Sequence, residues 1–92
     1  MSDSDAWLAR RLARAPEPLR ARLHVALRDT LPAARSPLPD QLRAVAESLM
    51  NDARHGPPTR DTALTLLAAD ALVTLACEYV AEHEAERLGE LR

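Results

Sequence analysis

Apolar residues recur at helical spacing in four runs along the chain, and prolines separate them. In the first run, "DAWLARRLARA" after Ser4, Leu8, Leu12 and Ala15 share one side while Trp7, Arg10, Arg11 and Arg14 share another. The pattern predicts a helix near 4–15, with the Ser4 hydroxyl taking a free backbone N–H at its start. Pro16 and Pro18 break it, and Pro18 suits the first turn of a second helix, near 18–31, whose stripe is Leu19, Leu23, Ala26, Leu27 and Leu31. Prolines at 32, 37 and 39 interrupt again before a third helix, near 39–54, striped by Leu42, Val45, Ala46, Leu49 and Ala53. Gly56 is expected to close that helix in the left-handed conformation, and Pro57-Pro58 forbids continuation. Thr59 then caps a last helix near 60–88, on the order of 40 Å long at 1.5 Å per residue.

The last helix differs from the others. Between Ala63 and Ala81 polar residues are few, Asp70, Thr74 and Glu78 lie together in a narrow stripe, and apolar side chains occupy well more than half of the circumference. Such a helix is central to its bundle or forms half of an oligomer interface. Three short helices offer one stripe each, too little to cover it. A homodimer is therefore expected, with a seam at Leu72, Val73, Ala76, Tyr79 and Val80.

Composition points the same way. The chain has no Phe and no Ile, and Trp7 and Tyr79 are its aromatics, so Leu and Ala must fill the core. These are strong helix formers, whereas strand formers are scarce. An all-α fold follows: a single four-helix domain over residues 1–92 with a long, central C-terminal helix. The net charge of −2 hides an asymmetry, with eight Arg against five acids in residues 1–43 and four Arg against nine acids in 44–92. Packing one end of a bundle against the other explains this as readily as a nucleic-acid contact does. The single Cys77 cannot close an internal disulfide. The start, "MSDSDAWLARR", has no apolar run, and Asp70, Thr74 and Glu78 interrupt the longest apolar segment, which makes it a poor membrane span. A cytoplasmic, soluble protein without membrane contact is the expectation.

The segment "MNDARHGPPTRDTALTLLAADALVTLACEYVAE", from Met50 to Glu82, resembles part of the trans-isoprenyl diphosphate synthases. In that family an aspartate-rich motif ends one helix, an R-R-G-K-P-T turn follows, and the next helix carries L-A-G-D-A-L-L. Here the turn reads Arg54-His55-Gly56-Pro57-Pro58-Thr59 and the helix Leu67-Ala68-Ala69-Asp70-Ala71-Leu72-Val73. The resemblance implies arginines that grip diphosphate oxygens, Mg²⁺ held by aspartates, and a dimer interface on the motif helix. The chain departs from the pattern at Asn51-Asp52, where the aspartate cluster would stand, at His55 in place of Arg, and at Pro57 in place of Lys. One carboxylate cannot assemble a three-metal cluster, and the second aspartate-rich region is absent.

Two further constellations remain. Arg54, His55, Thr59 and Arg60 beside a helix N-terminus form a candidate anion site, although prolines remove two of the donors it would use. Trp7 with Arg10, Arg11 and Arg14 forms a candidate surface contact able to stack on a nucleobase, or else a Trp packed on a neighbouring helix under Arg stems. His24, His55, His83 and Cys77 are scattered, so neither a metal site nor a cofactor is expected, and no nucleophile has an evident base. The sequence leads to a small non-enzymatic protein that self-associates and acts through contacts with itself or another protein. A diphosphate- or isoprenoid-type ligand module is the alternative, and an Arg-based nucleic-acid binder the second.

Overall fold

The computed structural model describes residues 3–29 and 36–90, and it is all-α. Four helices follow in order: α1 (Asp3–Leu12), α2 (Glu17–Asp29), α3 (Leu38–Arg54) and α4 (Arg60–Glu90). The closest helix pairing is α3 on α4, with α2 laid against both. The molecule measures 52 × 25 × 22 Å, so α4, about 46 Å long at 1.5 Å per residue, runs most of its length.

The helix boundaries have local causes. α1 opens with Asp3 and Asp5 in its first turn, where carboxylates favour the positive end of the helix dipole, and Ser4 lies inside that turn rather than before it. The helix stops three residues short of the expected Ala15. Beyond it Arg14 and Ala15 donate to Arg11 and Leu12 at i→i−3 spacing, a tightening that commonly ends a helix. α3 starts one residue early, at Leu38, with Pro37 as its cap and Pro39 in its first turn. The Gln41 amide donates to the Ser36 carbonyl at 2.5 Å and fixes that entry. Leu31 and Pro32, expected to end the second stripe, lie outside the described residues.

Gly56 corrects an expectation, since no described residue has a positive φ. The end of α3 is closed instead by His55 (φ −98°) and by Gly56 N–H donating to the Ala53 carbonyl. Glycine fits there for space: a Cβ would stand 3.1 Å from Thr62 Oγ1 and 3.3 Å from the Asp52 carbonyl. Thr59 caps α4 as expected, its hydroxyl accepting the Thr62 N–H at 3.3 Å.

The core follows the predicted stripes in α2 and α3, and in α1 it takes in Trp7 from the side assigned to the arginines. Leu23 and Ala26 from α2, Leu38, Leu42, Val45, Ala46 and Leu49 from α3, and Ala68, Ala69, Leu72 and Ala76 from α4 are buried together with Trp7 and Leu12. Alanines supply most of what α4 buries, and small side chains let helix backbones approach closely. That explains why α4 contributes little volume to a core it runs through. Arg60–Glu86 is also long and apolar enough to cross a membrane by length and composition, with a mean hydropathy of 1.6. The expectation that three polar residues disqualify it is corrected to that extent. In the fold the helix uses one side for α2 and α3, and 28% of its most apolar 18-residue window is buried.

Candidate functional site

Two surfaces of α4 carry the residues singled out above. One receives α1. Trp7 is turned inward, 8% exposed, with its ring edge-on to Tyr79 at 5.1 Å between centroids. Its Nε1–H donates to Glu82 Oε2 at 2.5 Å, which satisfies the polar handle that a buried Trp brings. Arg11 lies 5.1 Å from the Trp7 ring centre and bridges Glu78, at 2.7 Å, and Glu82. His83 stacks on the far side of the aromatic pair, 3.9 Å from Tyr79, and its Nδ1 reaches the Tyr79 carbonyl.

This arrangement divides the proposed surface contact. Trp7 and Arg11 are committed to α4, while Arg10 and Arg14 are exposed. The Trp face that a nucleobase would stack on is covered. The charge asymmetry of the sequence also gains a structural account, because Arg11 meets Glu78 and Glu82 across it and Arg22 approaches Asp61 at 3.9 Å. Partly exposed pairs of this kind contribute about 0.2–1 kcal/mol at most, the long Arg22–Asp61 pair least.

A second polar contact was not legible in the sequence. Thr65 is 3% exposed, donates to the Asp61 carbonyl and accepts from Arg22 Nη2 at 2.6 Å. Arg22 thereby ties α2 to the second turn of α4, although its Nε is buried without a hydrogen-bond partner. An arginine at a half-buried helix position opposite a threonine would have been the only hint.

At the turn, the four candidate anion ligands are exposed but only partly available. The Thr59 hydroxyl caps α4, and His55 Nδ1 donates to the Asn51 carbonyl at 2.8 Å. Arg54 and Arg60 stand on the two sides of the turn. Among the described residues no three His, Cys, Asp or Glu side chains gather as a metal site.

The residues of the expected dimer seam lie in different surroundings. Leu72 and Ala76, 0% and 1% exposed, are packed in the core of their own chain, and Tyr79 is half-buried on Trp7. Leu72 and Ala76 are thereby taken up within the chain. Val73 and Val80 are exposed, at 39% and 42%, and belong to a different stripe. That stripe includes Leu66 at 51%, together with exposed Cys77, while Leu67, 58% exposed, lies about 100° round the helix from Leu66. Periodicity alone did not separate the two sets, because Ala69, Val73, Ala76 and Val80 fall within about 60° of one another at 100° per residue.

Two shallow clefts flank α1. One, about 280 Å³, has an apolar floor of Leu12, Leu23, Ala71 and Leu75 with Arg11 and Glu78 at its rim. The other, about 260 Å³, lies among Trp7, Arg10, His83 and Glu86. Comparison of the chain with protein-family models, curated proteins and solved structures finds no match.

Proposed function

We propose that this chain is a non-enzymatic helical protein that self-associates through the outward face of α4 and acts through protein contacts. The observation that carries the reading is the exposure of Leu66, Val73 and Val80 along one face of the longest helix, with Leu67 exposed beside it. Exposed apolar side chains in such a row form a patch that a partner can cover. Burial at about 25 cal/mol per Å² makes such a patch a sufficient drive for pairing. Lipid is a poorer occupant, because Asp70 lies in the middle of the stripe and a carboxylate at membrane depth is costly.

Sedimentation at micromolar concentration tests this reading. A dimer is expected for the native chain and a folded monomer for Val73→Glu. A native monomer, or cosedimentation with neutral lipid vesicles that Val73→Glu abolishes, would overturn it.

A further inference from the structure

The outward face of α4 carries more than apolar area. Leu66, Asp70, Val73, Cys77, Val80 and Glu84 follow one another at alternating steps of four and three, and every one of them is exposed. That spacing is the seam of a two-stranded coiled coil, in which each position meets the facing helix. Resting on the self-association reading above, we infer that two copies of α4 pair antiparallel, about a two-fold axis near Val73.

Charge decides the direction. In a parallel, in-register pair every seam residue faces its own copy, so Asp70 would meet Asp70 and Glu84 would meet Glu84. Two like-charge encounters along one seam oppose that arrangement. Reversing one helix removes both. About an axis near Val73, Asp70 then lies against the Ala76–Cys77 region of the other copy, and Glu84 lies beside its amino-terminal turn near Thr62.

The helix dipoles add to this. Residues 82–90 contain four Glu and one Arg, so the negative end of α4 is reinforced rather than neutralised by its side chains. Among the described residues α1 answers it, through Arg11 on Glu78 and Glu82, and both of those lie on the α1 side of the helix. Glu84 is exposed on the outward side. An antiparallel partner brings the positive end of a second long dipole to that place.

Directed cross-linking separates the two directions. In a Cys77→Ser background, cysteine is placed singly by Leu66→Cys or Val80→Cys, both at exposed positions where helicity by circular dichroism checks the fold. About a two-fold axis near Val73, the two copies of either position lie about 21 Å apart at 1.5 Å per residue, beyond the roughly 10 Å reach of a short bismaleimide. An equimolar mixture of the two variants should give a cross-linked Leu66→Cys to Val80→Cys pair by mass. Each variant alone should give at least several-fold less. Efficient cross-linking of each variant alone would establish a parallel pair, overturning the inference while leaving the dimer standing. A dimer by sedimentation with no cross-link in any arm would move the seam off this face and overturn the inference as well. A native chain that sediments as a monomer would instead remove the reading beneath it.

Discussion

Trp7 shows how much a single side chain holds in a small domain. Its ring is buried against Tyr79, and its N–H is bound to Glu82, so it carries both packing and a directional contact. Truncation by Trp7→Ala should cost about 3 kcal/mol, the usual size for an aromatic core residue. Trp7→Phe keeps most of the apolar area and deletes the donor, and about 1 kcal/mol is expected because Arg11 still binds Glu82. Urea unfolding followed by circular dichroism measures both, and equal costs would mean that the hydrogen bond, not the ring, dominates. At the turn the opposite outcome is expected. Arg54→Ala with Arg60→Ala changes two exposed side chains and should shift stability by no more than about 0.5 kcal/mol. If those arginines bind a phosphorylated ligand, calorimetry with inorganic diphosphate will show native binding that the double variant loses.

Each helix shows a different limit of what its sequence discloses. In α2 and α3 the stripes Leu23–Ala26 and Leu42–Val45–Ala46–Leu49 were legible because one apolar face per helix leaves no choice of orientation. The turn at 55–59 was legible as a turn, from Gly, two prolines and a capping Thr, but not in its conformation. Space beside Thr62 and Asp52, rather than a positive φ, is what the glycine answers. In α4 the sequence pointed to surplus apolar surface but not to which half was surplus, since a helix apolar nearly all round gives two equivalent orientations until its neighbours are placed. The structure makes the distinction testable within one turn of helix. Leu72→Glu buries a charge at a position 0% exposed and should prevent folding, whereas Val73→Glu alters a side chain that is 39% exposed and should leave helicity intact. Ala76→Arg belongs with the first of these, although periodicity alone placed it at the seam.

The whole molecule is small and elongated. A 92-residue chain with an Ala-rich inner face on its longest helix has a small apolar volume to bury, and partner contacts are the usual remedy. Association then couples stability to concentration. The thermal midpoint should rise with protein concentration for the native chain and stay constant for Val73→Glu, which differential scanning calorimetry over a hundredfold range can measure. One feature of the fold has a kinetic counterpart. α1 approaches the other helices' backbones at fewer places than they approach one another, and Trp7, Arg11 and Leu12 reach across to α4 and the core. A segment fastened mainly by side chains can detach while α2, α3 and α4 stay assembled, and detachment of that kind is a partial opening rather than global unfolding. Amide hydrogens of α1 should therefore exchange with deuterium at a rate set by this lesser opening, well before those of α3, and the rate should be insensitive to the protein concentration that governs the rest.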